Sequence, residues 1–586
     1  MPKKVDFIPL INSFNREFYL RIDYHYSVKI LTIFANNYSI QTMKKLLFLT
    51  FIGILCHHFS PAQTLDQSNL PILKITTKNG ATIPDEPKIL GTLQLINNGN
   101  GRVNTPNDTP TGYNGYLGIE LRGSTSKDFF PKKPYGFELW ADTTGKSQKI
   151  AFLGMPEESD WVLNASYNDK TFMRDALTYD ISNRMGRYAT RTRYCEITLN
   201  GRYDGLYLVM EKIKRDKNRV NISSIKTTDS TGDALTGGYI LKIDKVNGSP
   251  AWSWKNTIGT PSVLFQVEYP KYADLTSKQL TYIKGWMTTF EKELYANTAL
   301  EKDAAWRNMI DMDSFVDYFI LTELTKNIDG YRLSTYFYKD KDSKDARLKM
   351  GPAWDYNLAY GNADYYEGYK TTGWQYQINA LASPTGDIYL SPFWWSKLVQ
   401  DEDFRTKASN RWGELRKTIL ATERINQWID STATIIAPAV ARNFKRWPGV
   451  LGTKVWPNYY VGTTFQDELN FMKDWIRSRC LWLDGQFQSK SLVLGIEEFF
   501  EPKRSLTIFP NPAVSNSLVK YEVMTRGQVE INLYDLSGKK VHEVVNQNQS
   551  VGEYQVPLNR QFPQGIYILD YRISGIPVDR TKVVVE

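Results

Sequence analysis

The stretch Asn327–Gly361, NIDGYRLSTYFYKDKDSKDARLKMGPAWDYNLAYG, sets two lone aspartates, Asp329 and Asp355, at the two ends of a predicted β-hairpin. The segment before it, Asp313 to Lys326, opens on an Asp N-cap and places Phe315, Val316, Phe319, Ile320 and Leu324 at helical spacing. Asp329 is therefore expected just past a buried helix. Asp355 then closes the returning strand. A single Asp is a favoured turn residue and argues nothing. A pair framing one hairpin after one buried helix is an arrangement, and it points to chemistry carried by carboxylates.

Outward from this stretch the pattern changes twice. From Leu70 to Lys217 the chain reads mainly as short strands (ILKIT, LGIELRG, YGFELW, CEITLNG, GLYLVMEKI), broken by one helix from about Thr171 to Met185 with Gly186 at its C-cap. Asn200-Gly201 between CEITL and LYLVM signals an antiparallel hairpin. From Leu275 onward the text turns helical. Leu280, Ile283, Met287, Phe290 and Leu294 form one stripe, and Leu469, Met472, Ile476 and Leu483 form another after a Thr464 cap. An α+β domain over 65–495 is expected, with a β-rich first lobe and a helical second lobe. After the linker EEFFEPKRS come short strands and turns (LTIFPNPA, VEINLYDLSGKKV, YQVPLN, GIYILDY, TKVVVE), which fit a small all-β sandwich over 504–586.

Rare residues narrow the chemistry. The four histidines are His25, His57, His58 and His542, so the main domain has no imidazole. Ser-His-Asp and Cys-His nucleophiles and most zinc hydrolases are thereby excluded. Of the net charge of +9, residues 1–62 carry +4, from seven Lys/Arg against three acids. The remainder is too dilute for a nucleic-acid footprint.

Met43 opens MKKLLFLTFIGILCHHFSPAQ: a basic Lys44-Lys45 start, an apolar run Leu46–Leu55 and a small-residue site at Ser60-Pro61-Ala62. This is the pattern of a secretory signal over 43–62, and the run is too short for a membrane anchor. Residues 1–42 then read as a mis-called extension, and the mature chain has no transmembrane span. With Cys56 in the signal, Cys195 and Cys480 remain, either as one bridge or as two separate buried thiols.

In the first lobe, LRGSTSKDFFPKKPYGFELW places Gly123, Ser124, Thr125 and Ser126 in a turn. Extending the strand alternation back from Phe137 and Tyr135 puts Lys133 on the apolar face, where a phosphate oxygen would meet its charge. Lys132 falls on the opposite, solvated side. Glu211 sits where a strand leaves the lobe, placed for a ribose or adenine edge or for a salt bridge. Asp340, Asp342 and Asp345 lack the spacing of a calcium loop and read as a solvated hairpin tip.

The ordered series RGSTS, PKKPYGFEL, DWVLNASYNDKTFMRDAL, LNGRYDGLYLVMEKIKR, GGYILKIDK, NIDGYRLSTYFYKD and GPAWDYNLAYGNA resembles the spore coat H (CotH) kinase family from about Leu70 to Leu483. The resemblance implies a two-lobed, atypical protein-kinase-like fold that binds ATP and Mg2+ and phosphorylates serine or threonine on surface proteins. It implies Asp329 as the catalytic-loop aspartate, Asp355 as the magnesium-binding aspartate and Lys133 as the nucleotide-phosphate lysine. Arg122, Gly123, Ser124 and Arg174 would support the nucleotide, and Glu211 would take a hinge-like place. Ser334 stands five residues past Asp329, where a kinase loop carries a metal-binding Asn. Asn357 stands where the family often has a second acid, so both metal positions are neutral. FPNPA, LYDLSGKKV, GIYIL and TKVVV resemble the C-terminal sorting domain of type IX secretion, which implies export by that machinery to the cell surface or beyond. Two other readings remain open on the residues themselves. One is a catalytically silent surface-binding or structural module, with Trp394, Trp395, Tyr459 and Tyr460 suited to sugar stacking. The other is a carboxylate-pair glycoside hydrolase using Asp329 and Asp355.

Overall fold

The strands of the first half close on themselves. In chain order they are β1 (Ile72–Thr77), β2 (Ile89–Ile96), β3 (Tyr113–Leu121), β4 (Tyr135–Trp140), β5 (Ile150–Phe152), β6 (Met155–Glu158), β7 (Asp160–Asn164), β8 (Thr192–Leu199) and β9 (Arg202–Glu211). Seven of them form a closed barrel in the order β1-β2-β3-β4-β7-β9-β8, antiparallel throughout except at the β1–β8 seam, which is parallel. The computed structural model describes residues 64–99, 101–246, 253–488, 506–523, 526–550, 552–559, 561–573 and 576–585. The signal at 43–62, the extension at 1–42 and the linker EEFFEPKRS lie outside the described residues.

Period-two alternation fills the barrel: Leu73, Ile75, Leu117, Ile119, Phe137, Leu139, Cys195 and Ile197 share one core. β9 departs from alternation because both its faces are buried. Tyr207 and Val209 join the barrel core, while Leu206, Leu208 and Met210 join the larger core outside it. Each such side chain contributes on the order of 1.5–3 kcal/mol of burial free energy. The expected hairpin forms between β8 and β9, with Asn200 at φ 50° and Gly201 at φ 77°, the left-handed pair that a two-residue turn needs.

Helix α1 (Arg174–Arg184) starts three residues later than expected and is buried along most of its length. Phe172, Met173, Ala176, Leu177 and Ile181 pack it into the same core as the outer face of β9. A second sheet takes strands from both halves of the sequence: β10 (Tyr239–Ile243), β11 (Ser253–Lys255), β12 (Leu264–Tyr269), β13 (Thr335–Lys339) and β14 (Lys349–Met350), in the order β11-β12-β10-β13-β14. The hairpin framed by the two aspartates is β13–β14, and β13 also pairs antiparallel with β10.

The other helices of more than ten residues are α2 (Ser277–Tyr295), α3 (Met312–Thr325), α4 (Glu402–Arg416), α5 (Thr422–Arg446) and α6 (Phe465–Gln488). α3 is capped by Asp311, whose side chain accepts from the Ser314 N–H at 2.9 Å, rather than by Asp313 as expected. α5 docks on the β8–β9 hairpin: Arg442 pairs with Glu196 of β8, and Asn443 accepts from the Leu206 N–H of β9 at 3.1 Å. Cys195 and Cys480 are both free and buried, in different elements, and burial pushes the Cys480 thiol up to about 12. Among the described residues no helix is long and apolar enough to cross a membrane.

The C-terminal segment is all strand: β15 (Leu506–Phe509), β16 (Leu518–Val523), β17 (Gly527–Asp535), β18 (Lys540–Gln549), β19 (Gly552–Pro557), β20 (Gly565–Ile573) and β21 (Ile576–Val585). They make a three-stranded sheet, β15-β16-β19, and a four-stranded sheet, β18-β17-β20-β21. Leu506, Val519, Tyr521, Ile531, Leu533, Leu569 and Val583 from both sheets share one apolar core.

Candidate active site

A cleft of about 770 Å³ is walled by the loop after β3, the end of β9, the end of β10 and the two turns that carry Asp329 and Asp355. Both aspartates line it, with Arg122, Gly123, Ser124, Ser334 and Asn357. Gly123 lies at φ 94°, and a Cβ there would stand 2.6 Å from Ser126 Oγ, so this tight loop requires glycine.

Asp329 is placed by the end of α3. Lys326 adopts the left-handed conformation (φ 43°, ψ 45°) and breaks the helix, and the turn that follows is pinned by Leu333 N–H donating to Asp329 O at 2.9 Å. Arg332 braces the carboxylate. Its guanidinium donates to Asp329 Oδ1 at 3.1 Å, to Asp387 Oδ2 and Tyr389 O at 2.7 Å each, and to Ile328 O at 2.8 Å. Burial raises the Asp329 pKa, and Arg332 and Lys245 offset part of that rise. Arg332 lies inside the opening stretch but was not singled out from sequence. Its signal is the i,i+3 spacing to Asp329.

Asp355 is held differently. Its backbone is left-handed (φ 65°), its N–H donates to Tyr179 Oη at 3.0 Å, and its C=O accepts from Asn327 Nδ2 at 2.9 Å. Among the described residues its carboxylate has no hydrogen-bond or ion-pair partner, and it is exposed to the cleft. Desolvation by the cleft walls, with Asp175, Asp329 and Asp244 nearby, pushes its pKa up to about 8. Water entering the cleft moderates that rise, whose direction is set first by desolvation and then by the neighbouring acids. Asp244, at the end of β10, is also raised by burial and lines the same wall.

The opposing charge comes from Arg122, Lys212 and Lys245, which line the cleft and have no carboxylate partner among the described residues. Burial, with Arg122 and Lys271 nearby, pushes Lys212 down to about 8. Lys212 and Lys245 were missed from sequence although both stand in quoted motifs, because neither lies on a strand whose alternation would orient it.

Three expected site residues, Lys133, Arg174 and Glu211, lie away from the cleft. β4 begins at Tyr135, so the alternation does not extend back through Pro134 to Lys133. Lys133 is half-buried and donates to Lys127 O. The supposedly solvated Lys132 is 1% exposed, and its ammonium meets Ala165 O at 2.8 Å, Asn443 Oδ1 at 2.9 Å and Leu206 O. Arg174 is buried, paired with Asp169 and donating to Ala359 O at 3.0 Å. Glu211 is fully buried, bonded to Arg191 at 2.9 Å and to Tyr188 Oη at 3.1 Å. Its neighbour Lys212 faces the cleft instead.

No group of three His, Cys, Asp or Glu side chains able to hold a metal occurs among the described residues. A cation here would rest on one unpartnered carboxylate, Asp355, with neutral oxygens and ligands from the substrate. That donor set suits Mg2+, which is commonly held by one or two carboxylates plus phosphates and water. Asn357 donates its Nδ2 to Asn168 Oδ1 at 3.2 Å, which leaves its own carbonyl oxygen for another ligand. The aromatic residues expected to stack on sugars are otherwise engaged. Trp394 and Trp395 lie in the core, Tyr459 stacks on Tyr369 at 4.1 Å, and Tyr460 stacks on Phe471 at 4.5 Å.

Comparison with known proteins places these residues in a family. The inner spore coat protein H of Bacillus subtilis (strain 168) is 30% identical over 97 residues, which is 17% of this chain and 24% of that relative. The match thus spans about a quarter of the relative's length. A secretion system C-terminal sorting domain matches residues 507–586, which marks the chain for export by type IX secretion to the cell surface or beyond. The family description "CotH kinase protein" matches residues 119–483, more than half of the chain and every residue that lines the cleft from β3 onward, and the chain belongs to the CotH kinase family.

Proposed function

We propose that the cleft binds ATP with Mg2+ and passes the γ-phosphoryl group to a serine or threonine hydroxyl of a protein at the cell surface or outside it. In this reading the barrel and the helical part are the two lobes of a protein-kinase-like unit, and the C-terminal strands form a sorting sandwich. One observation carries it: Arg122, Lys212 and Lys245, with no carboxylate partner among the described residues, line the same cleft of about 770 Å³ as Asp355, Asp244 and the Arg332-braced Asp329. That size suits a nucleotide-scale ligand, and the division of charge suits a polyphosphate that arrives with a metal ion.

Arg122, Lys212 and Lys245 bind the phosphate oxygens. Asp355, with the amide oxygen of Asn357 and the hydroxyl of Ser334, holds the metal ion, which when bound neutralises phosphate charge. Asp329 receives the proton of the acceptor hydroxyl as that oxygen bonds to the γ-phosphorus. The bond from the γ-phosphorus to the β–γ bridging oxygen breaks, and ADP leaves. Arg332 occupies one oxygen of Asp329 and leaves the other for the acceptor. The rings considered for a sugar-stacking surface module, Trp394, Trp395, Tyr459 and Tyr460, are buried or already stacked.

The test is incubation of the purified protein with γ-labelled ATP, Mg2+ and a serine-rich surface protein. Label on serine or threonine is expected. Absence of label, together with no Mg-ATP-dependent rise in melting temperature, would overturn the reading.

A further inference from the structure

The backbone around Asp355 is fixed from α1, an element of the first half of the sequence. Tyr179 Oη accepts the Asp355 N–H at 3.0 Å, and the same hydroxyl donates to Asp175 Oδ1 at 3.1 Å. Asp175 Oδ1 also accepts the next amide, Tyr356 N–H, at 2.7 Å, and Asn164 Nδ2 holds Asp175 Oδ2 at 2.9 Å. Two consecutive amides of the turn are thus captured by one tyrosine–aspartate pair. Both side chains are buried, Tyr179 at 1% and Asp175 at 4% exposure.

The capture has something to hold. Asp355 sits at φ 65°, a conformation that costs a non-glycine residue roughly 1–2 kcal/mol and persists only where neighbours enforce it. The Tyr179 ring also stacks on Trp354 (centroids 6.4 Å apart, planes at 20°), and the Arg122 guanidinium lies 5.4 Å over that same indole. One tyrosine therefore touches the residue before Asp355 with its ring and the amide of Asp355 with its hydroxyl. Through Trp354 it reaches the cation that faces the phosphates.

We propose that Tyr179, oriented by Asp175, is a positioning residue that sets the Asp355 carboxylate toward the metal ion and registers it against Arg122. The inference rests on the nucleotide reading of the cleft given above. Tyr179 touches neither nucleotide nor acceptor. Its hydroxyl fixes the direction of Asp355, and its ring fixes the level of Trp354 and Arg122.

Tyr179→Phe separates the two contacts, because it keeps the ring and removes one oxygen. Two measurements on the full chain test it. Amide hydrogen exchange over 353–360 without ligand should rise about tenfold, the scale of one lost hydrogen bond. The Mg2+ concentration giving half-maximal ATP binding should rise by a similar factor, while ATP affinity without Mg2+ stays within about twofold and the melting temperature holds. Asp175→Asn keeps the Oδ1 acceptor for Tyr356 N–H and Tyr179 O–H but sets an NH2 against the Asn164 Nδ2 donor, so its effect should fall between wild type and Tyr179→Phe. Unchanged exchange and unchanged Mg2+ dependence in Tyr179→Phe, beside a wild type that responds to Mg2+, would overturn the positioning role alone. A wild type indifferent to Mg2+ would overturn the function proposed above and this inference with it, even if exchange rises.

Discussion

The turn at Asn327–Ser334 and the turn at Gly351–Gly361 each deliver one aspartate to the same cleft, yet they fix it by opposite means. At the first, the side chain itself is tied: Arg332 grips Asp329 and spreads its remaining donors over Asp387, Tyr389 and Ile328. At the second, only the backbone is tied, through Tyr179 and Asn327, and the carboxylate is left with no partner among the described residues. A group that must meet a mobile hydroxyl with one oxygen tolerates a permanent partner on the other. A group that must wrap a cation needs both oxygens and their charge. The difference in bracing predicts a difference in role.

Mutation breaks the comparison most sharply at the bare carboxylate. Asp355→Ala should abolish Mg-ATP-dependent thermal stabilisation altogether, and a stabilisation equal to wild type would show the site misassigned. Asp329→Ala should keep that stabilisation and lose about 10²–10⁴-fold in the rate of phosphoryl transfer, the range of a general base, as read with labelled ATP. Equal effects of the two variants on nucleotide binding would erase the distinction.

Smaller effects sharpen the picture of the opposite wall. Lys212→Ala should weaken ATP binding about tenfold by calorimetry, the low end for one charge-assisted hydrogen bond, whereas Lys133→Ala should stay within about twofold. Smallest is a difference in pH dependence. Desolvation, with Asp175, Asp329 and Asp244 nearby, raises the folded-state pKa of Asp355 above its ordinary 3.8, so between the ordinary and the raised value the folded form holds a proton that the unfolded form has lost. Stability from this group therefore falls as pH rises through that window. Asp355→Asn removes the loss and should raise the melting temperature at pH 8 by a few degrees, with the gain shrinking toward pH 4. Asp329→Asn should gain less, because Arg332 already offsets part of the burial of Asp329.

Local pattern carried the strands, the helices and the two aspartates a long way. The α3 stripe, the β13–β14 hairpin and the turn residues are all short-range features, and the cleft acids follow from them. The barrel closure and the β10–β13 pairing join segments far apart in sequence, and no local period encodes them. Charged residues at strand ends are the least legible from local pattern. Lys133 inherited an alternation that β4 does not reach, and Glu211 was given the cleft position that Lys212 occupies. At Glu211 the cleft residue is the immediate neighbour, Lys212, whereas neither Lys133 nor Lys132 lines the cleft. Tyr179 and Asp175 stand in the quoted DWVLNASYNDKTFMRDAL region and just after it, but nothing in a helix's own sequence announces a partner about 180 residues away.

The parallel seam between β1 and β8 has a bearing on life outside the cell. A sheet that ends leaves a row of unpaired amides and carbonyls on which a neighbouring copy can add a strand, and crowded exported proteins are exposed to that hazard. By joining its first strand to its eighth, this sheet offers no such template, and it needs no charged gatekeepers along a rim.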